Sequence, residues 1–346
     1  MAQNAYNVAV VGATGAVGRE MLEILEERDF PVASIRAMAS PRSAGNEIPF
    51  GDETVVVEDL AKASFDGVEI ALFSAGSSVS KEHARRAVDA GAVVIDNTSA
   101  FRMEPQIPLV VPEVNADALE EFELPGIIAN PNCSTIQMVV ALEPLARAAG
   151  LERVVVSTYQ SASGAGQKGV TELLEELRNW AETDDGEEWE AARDVFDHPL
   201  AFEALPHIGS FTDSGFTTEE LKMVNETRKI MSLPDLSVAS HCVRVPSIRS
   251  HSESLTVDLS EALSADDARA IWEEAPGVEV LDQPEEAKYP LARLAAETDE
   301  TWIGRIRGDL DRPNSLHFWI VSDNLRKGAA LNSVQIAEDL IQNGRL

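Results

Sequence analysis

The first eighteen residues limit this chain more than any other stretch. Tyr6-Asn7-Val8-Ala9-Val10-Val11 is an apolar run of strand length, and Gly12-Ala13-Thr14-Gly15-Ala16-Val17-Gly18 follows at once. Arg19 to Arg28 then continues as a helix, with Met21, Leu22, Ile24 and Leu25 on its apolar face. Strand, glycine turn and helix in that order open a βα unit. Glycines such as Gly12 and Gly15 let its backbone approach a pyrophosphate held at the helix N-terminus. The spacing is G-x-x-G-x-x-G, not the commoner G-x-G-x-x-G, so the signal lies in its context. The bland alternative is a tight turn with no ligand.

The second strand speaks to the cofactor. Val32 to Ala39 is strand-like, and the end of such a strand normally carries an acid for the ribose 2′-hydroxyl of NAD. Here it runs into Ser40-Pro41-Arg42-Ser43-Ala44-Gly45. An arginine with hydroxyls suits a 2′-phosphate, which favours NADP; the alternative for Arg42 is a solvated loop side chain.

Asn130-Pro131-Asn132-Cys133-Ser134-Thr135 sets a cysteine where a loop becomes a helix. Pro131 keeps its predecessor extended, and Asn132 and Ser134 are capping residues. Ile136 to Ala149 is apolar enough to be a packed helix. A thiol among unpaired N–H groups at the positive end of a helix dipole is favoured as thiolate, so Cys133 is placed to be a nucleophile. For a cysteine without this context a buried packing role is the default.

At 346 residues the chain is long enough for two domains and a large core. Two cysteines, Cys133 and Cys242, argue against a disulfide scaffold and for a reducing compartment. No apolar leader and no run long enough to span a membrane is present, so a soluble cytoplasmic protein is expected. Acidic residues number 59 against 28 basic ones, for a net charge of −31, which disfavours nucleic acid and anionic membranes as partners. The run Glu182-Thr183-Asp184-Asp185-Gly186-Glu187-Glu188 reads as part of a generally acidic solvated surface. Such a lysine-poor, acid-rich balance resembles proteins of salt-accumulating microbes, where a Debye length of about 3 Å at molar salt screens self-repulsion.

Short strands at Val8–Val11, Ser34–Ala39, Val68–Phe73, Val93–Asp96 and Ile127–Ala129 alternate with helical patterns, including Ser80–Ala90. This predicts a doubly wound α/β region of the Rossmann type. After the Cys133 helix, strands at Val154–Gln160, Val238–Val245, Ser254–Leu259 and Leu316–Val321 are separated by helical stretches at Gly169–Ala181 and Thr218–Met231. That predicts an α+β domain with a largely antiparallel or mixed sheet. Gly328–Asn343 is helical and is expected to pack back on the first domain. The expected division is 1–132 with 328–346 for dinucleotide binding, and 133–327 for catalysis and dimerisation.

With these motifs in hand, the chain resembles the bacterial type of the aspartate-semialdehyde dehydrogenase family. The resemblance extends through Thr158-Tyr159-Gln160-Ser161-Ala162-Ser163-Gly164-Ala165-Gly166, Glu226-Thr227-Arg228-Lys229-Ile230, Cys242-Val243-Arg244-Val245-Pro246 and His251-Ser252-Glu253-Ser254, essentially the whole length. It implies reduction of L-aspartyl-4-phosphate by NADPH to L-aspartate 4-semialdehyde and phosphate, in lysine, threonine, methionine and diaminopimelate biosynthesis. Cys133 would form a thioester, and His251 would act as the acid–base group at the hemithioacetal oxygen. Gln160 would orient the substrate, and Arg244 would grip its carboxylate in a bidentate fork. Glu219 would meet the ammonium group and Lys222 the phosphate, although three residues apart on a helix they would otherwise read as a surface ion pair. Arg102 matches the phosphate arginine, and Asn132 falls in the substrate set. Thr14, Gly15, Ala16, Val17, Arg42, Ser43, Ser163, Gly164 and Asn324 fall at cofactor positions. No metal site is implied, and the assembly expected is a homodimer or homotetramer.

Asn46 stands where a lysine is common, which weakens the case for strict NADP selectivity. Rival readings are an N-acetylglutamyl-phosphate reductase, a glyceraldehyde-phosphate dehydrogenase, a non-catalytic NADP-binding homologue and a cysteine hydrolase. The first two offer no ammonium for Glu219. The third leaves Cys133, Gln160, Arg244 and His251 without a purpose, and the fourth leaves the glycine turn idle. Arg42→Ala is expected to weaken NADP binding more than NAD binding in parallel titrations; equal losses would remove the reason for preferring NADP.

Overall fold

The computed structural model describes residues 5–183 and 193–346, so Asp184–Glu188 of the acidic run lies outside the described residues. The chain divides into two units, Met1–Asn132 with Gly328–Leu346, and Cys133–Lys327.

In the first unit the apolar amino-terminal run forms β1 (Tyr6–Val11), buried along nearly its whole length, and the glycine turn leads into α1 (Ala16–Glu27). β2 (Val32–Ala39) returns parallel to β1, with Val10 opposite Ala37. A hairpin follows, β3 (Glu47–Phe50) and β4 (Glu53–Val56), then the two-residue β5 (Glu58–Asp59) beside β2. The sequence reading missed this hairpin, although Gly51-Asp52 between two short runs is a two-residue turn signal and Gly51 takes a φ of 56°. β6 (Ile70–Phe73), α2 (Ser77–Asp89), β7 (Val93–Asp96), α3 (Pro112–Asn115) and β8 (Ile127–Ala129) complete the amino-terminal segment.

The sheet order is β5-β2-β1-β6-β7-β8, with every pair parallel. β1 has β2 on one side and β6 on the other, so the glycine turn leaves the sheet where the winding reverses. That crevice is where open α/β sheets bind ligands. The last helix of the chain, α9 (Leu331–Gln342), packs Leu331, Val334, Ile336, Ala337 and Leu340 into the same core as Val8, Val10, Ile24 and Ile95. A wider π-helical turn over Arg326–Ala330 precedes it, so the regular helix starts three residues later than the sequence pattern indicates.

The second unit opens with α4 (Cys133–Ala149), whose apolar side chains are buried almost throughout. It continues through β9 (Leu151–Gln160), α5 (Gly166–Glu182), α6 (Thr218–Ile230), β10 (Ser237–Arg244) and β11 (His251–Leu259). α7 (Ala265–Glu273), β12 (Val278–Val280), α8 (Ala292–Ala295), β13 (Thr301–Gly308) and β14 (Ser315–Ser322) close it. The sheet is mixed, in the order β10-β9-β11-β14-β13-β12: β10 runs parallel to β9 and β12 to β13, and the remaining pairs are antiparallel.

α4 lies on this sheet with α6 and α7 beside it, and Trp272 of α7 donates its indole N–H to the Ala141 carbonyl of α4 at 2.8 Å. α6 begins at a capping box: Thr217 Oγ1 accepts from the Glu220 N–H, and Glu220 returns the bond to the Thr217 N–H. The other Glu220 oxygen accepts from the Cys242 N–H at 3.2 Å, which ties the start of α6 to β10. Glu172 and Glu176, one turn apart on α5, accept backbone N–H groups of residues 194–196 and of Leu200 and Ala201.

Gly12 has a φ of 92°, a region that favours glycine, and a Cβ there would fall 2.9 Å from the Ala75 nitrogen. A Cβ on Gly18 would lie 2.2 Å from the Gly12 carbonyl oxygen, a backbone atom that cannot rotate away. Gly18→Ala is therefore expected to cost about 1–3 kcal/mol, the range for forced overpacking, and to lower Tm in thermal unfolding.

Candidate active site

The register of the second sheet assembles the site. Arg244 ends β10 and is opposite Gln160, which ends β9. Ser252 of β11 is opposite Tyr159, so His251, one residue earlier, comes to the level of Gln160. Arg244, Gln160 and His251 thus form one row across three adjacent strands, on the face that α4 and α6 cover. All three are buried. Side chains alternate between faces along a strand, so the next inward row is Cys242, Thr158 and Glu253. Cys133 is the first residue of α4, is half-buried, and has no acidic residue in its first turn. Its charge acts on Arg244, so thiol and guanidinium share one electrostatic environment.

Ser161, which the sequence reading did not nominate, holds two of these groups through one residue. Its N–H donates to His251 Nδ1 at 3.1 Å, and its carbonyl accepts from Arg244 Nη1 at 2.6 Å. A backbone N–H can only donate, so Nδ1 carries no hydrogen and the neutral ring bears its proton on Nε2. Nε2 is fully buried and has no partner among the described residues. Burial lowers the His251 pKa to about 3, the Arg244 charge adds to the effect, and Glu219 opposes it. The imidazole is therefore neutral at physiological pH and offers an N–H donor to whatever enters the site.

Glu219 supplies the negative charge. One of its oxygens accepts from Gln160 Nε2 at 3.2 Å and the other from Lys222 Nζ at 3.0 Å. The two residues do form the i,i+3 ion pair that their spacing suggests, but Glu219 is buried and Lys222 is only partly exposed. Arg244 is pulled below its ordinary pKa by burial, while Glu219, Cys133 and Cys242 oppose the shift. The two cysteines differ sharply. Burial, and then the Glu219 charge, push the Cys242 thiol far above its ordinary range, so it stays protonated and inert.

Asn324, Ser163 and Gly164 also lie in this unit. Asn324 Oδ1 accepts from Ser161 Oγ at 3.2 Å, from Ser163 Oγ at 3.1 Å and from the Ser250 N–H at 2.9 Å. Asn324 therefore braces the segment that orients His251. Gly164 faces the guanidinium and the imidazole: a Cβ there would lie 2.6 Å from Arg244 Nη1 and 3.2 Å from His251 Nε2.

In the first unit, α1 starts at Ala16 after Gly15, with no side-chain cap and no acidic residue in its first turn, as an anion-binding helix end requires. Thr14 Oγ1 donates to Ser43 Oγ at 3.4 Å, which brings the loop after β2 to the glycine turn. Arg42 is exposed in that loop, and β2 ends on Ala39 with no acid. The uncapped turn and the crowding around Gly12 fit a dinucleotide pyrophosphate. Arg102 is buried, with its guanidinium donating to the carbonyls of Asn130 and Asn97. Asn132 is buried at the end of this unit. Among the described residues no His, Cys, Asp and Glu group is arranged to hold a metal, and no helix is long and apolar enough to cross a membrane.

Comparison with known proteins matches residues 7–122 to the family model "Semialdehyde dehydrogenase, NAD binding domain" and residues 142–327 to "Semialdehyde dehydrogenase, dimerisation domain". The aspartate-semialdehyde dehydrogenase of Aquifex aeolicus is 50% identical over 340 residues, covering 98% of this chain and 99% of that protein. The enzyme of Bacillus subtilis is 50% identical over 337 residues, covering 96% of this chain and 97% of that protein. Among solved structures, aspartate semialdehyde dehydrogenase II of Vibrio cholerae, complexed with ASA, superposes with a TM-score of 0.94 at 44% identity, covering 98% of this chain and 99% of that one.

Gly164→Ala tests whether the placement of Arg244 and His251 matters, because the added methyl must displace one of them. The variant is expected to fold normally and to lose about a hundredfold in kcat/KM, the scale of a misplaced catalytic group. Wild-type kinetics in the folded variant would show that the placement of these two side chains does not matter.

Proposed function

Because the chain belongs to the aspartate-semialdehyde dehydrogenase family, we propose that it reduces L-aspartyl-4-phosphate with NADPH, giving L-aspartate 4-semialdehyde and phosphate through a thioester on Cys133. The observation that carries this reading is the row Arg244–Gln160–His251, with Cys133 at the head of the covering helix and Glu219 bonded to Gln160.

Cys133 Sγ attacks the acyl-phosphate carbonyl carbon, the C–O bond to phosphate breaks, and phosphate leaves with that electron pair. NADPH supplies the hydride that reduces the thioester. As the carbonyl oxygen gathers negative charge, His251 shares its Nε2 proton with it, a preorganised and buried donor. Collapse of the oxyanion restores the C=O bond and releases Cys133 as thiolate, ready for another turnover. Arg244 holds the α-carboxylate with two parallel bonds, Glu219 meets the α-ammonium, and Gln160 fixes the carbonyl between them. Lys222 and Arg102 are assigned to phosphate, and Asn132 to the substrate.

NADP is favoured over NAD because β2 ends without an acid and Arg42 and Ser43 follow it. The product feeds lysine, threonine, methionine and diaminopimelate synthesis, in a reducing cytoplasm that keeps the Cys133 thiol reduced. A homodimer accords with the matched dimerisation model. On the outer face of the second sheet Tyr159 and Trp319 meet with ring centroids 5.4 Å apart, among polar neighbours such as Ser254, Thr256 and His317, and Tyr159 is 38% exposed. With a net charge of −31, activity is expected to rise with salt as self-repulsion is screened.

The test is phosphate-dependent reduction of NADP by aspartate semialdehyde, followed as NADPH absorbance in low and molar salt. NAD, N-acetylglutamate semialdehyde and glyceraldehyde phosphate run beside it. Activity is expected with aspartate semialdehyde alone, to be lost in Cys133→Ala with NADP binding intact, and to fall mainly through substrate use in Arg244→Lys. Turnover near wild type in Cys133→Ala would remove the nucleophile, and silence in every salt would remove the reaction.

A further inference from the structure

Glu253 has no part in this mechanism, and its situation calls for a reason. It sits two residues after His251 on β11, so both side chains point to the same face of the sheet. Gln137 sits four residues after Cys133 on α4, so those two share a face of the helix that packs on β11. The upper pair, Cys133 and His251, does the chemistry. Glu253 and Gln137 repeat that pairing one layer deeper, between the same helix and the same strand. Glu253 is fully buried, and among the described residues neither of its oxygens has a hydrogen-bond partner of normal geometry, nor has the Nε2 of Gln137.

The charged and titratable groups around it are known element by element. α6 contributes Glu219, β10 contributes Cys242 in the same row and Arg244 in the next, β11 itself contributes His251, and Cys133 stands one turn from Gln137 on α4. On β9 its neighbour opposite is Thr158, and on β14 it is Ile320. Among the described residues no cation contacts its carboxyl group. Burial pushes that carboxyl well above the usual carboxylate range, and the Glu219 charge adds to the shift. The Gln137 amide opposes it from across the gap without closing a hydrogen bond of normal geometry.

A buried carboxyl with no cation and no donor in normal hydrogen-bond geometry lowers stability, and an apolar side chain of similar volume is the better choice for folding alone. Groups that violate a packing rule in this way cluster at functional sites.

We propose that Glu253 is a positioning residue for the reaction, acting as an un-ionised acid: with Gln137 it forms the polar underlayer that sets Cys133 at the head of α4 against His251 at the head of β11. Un-ionised, it adds no negative charge to compete with the substrate carboxylate for Arg244. This rests on the thioester reading of the site.

Three variants test it in the full-length enzyme. Glu253→Leu removes the polar underlayer and should raise Tm while lowering kcat about tenfold or more, the effect of slightly misplaced reacting groups. Glu253→Gln, a neutral isostere, should keep kcat within about threefold, an allowance well under the tenfold that 1.4 kcal/mol represents. It should also leave the midpoint of Cys133 alkylation against pH unmoved. Cys133→Ala is the inactive control.

If Glu253→Leu turned over like wild type, the underlayer would be idle and the proposal overturned. A Cys133 titration that shifts to lower pH in Glu253→Gln would show that the native carboxyl is charged, which overturns it as well. Should Glu253→Leu fold poorly, the comparison of wild type with Glu253→Gln still decides the charge state. Absence of activity in the wild-type protein itself would count against the thioester reading instead, so the two failures are separable.

Discussion

The peptide of Ser161 is the point on which the site depends. A single residue at the end of β9 gives its N–H to His251 and its carbonyl to Arg244. The first bond fixes the tautomer of the imidazole, and the second fixes the direction of the guanidinium fork. Asn324 braces the arrangement by accepting from Ser161, from Ser163 and from the Ser250 N–H. Backbone groups do not change charge with pH or rotate away, so the preorganisation they impose is complete before substrate arrives. Gly164 is required by the same crowding, because the two side chains so fixed occupy the space a Cβ would take.

Charge in the site is kept scarce. Within a few side chains the structure buries Arg244, Glu219, His251, Cys242 and Glu253, yet few of them are ionised. Burial holds His251 neutral and Cys242 protonated, and it drives Glu253 towards its acid form. Arg244 and Glu219 are the charges that remain under cover, and each lies within the field of the other. Buried charges of this kind contribute little to stability, since desolvation offsets their attraction. In the proposed reaction they provide a matched receptor for a substrate that carries a carboxylate and an ammonium group, where a neutral or singly charged analogue would leave one partner unpaired.

The first unit works by backbone shape. Gly12 takes a φ of 92° at the point where the parallel sheet reverses its winding, and Gly18 lets α1 pass close to that turn. The uncapped N-terminus of α1 then presents its N–H groups to an anion. The contact between Thr14 and Ser43 draws the loop after β2 to the same turn, so the segment proposed for the ribose lies beside the one proposed for the pyrophosphate.

The sequence by itself determined the local devices: a strand–glycine turn–helix, a cysteine at a helix head, and strands and helices whose periodicity is set by short-range burial. The mixed sheet and the parallel α/β sheet were both legible from those patterns, and so was the family. Short elements with weaker patterns, such as the β3–β4 hairpin, β13 and α7, were not, because their apolar runs are brief and their identity comes from what they pack against. Which side chains meet was decided by tertiary structure alone. Gln160, Arg244 and His251 lie up to ninety-one residues apart, and only the β10–β9–β11 register brings them level. The part played by the Ser161 peptide has no signature in its side chain, since backbone N–H and C=O are common to nearly every residue. The neutrality of His251 and the isolation of Glu253 were equally invisible, because a pKa is set by burial and neighbouring charge, and neither exists until the chain has folded.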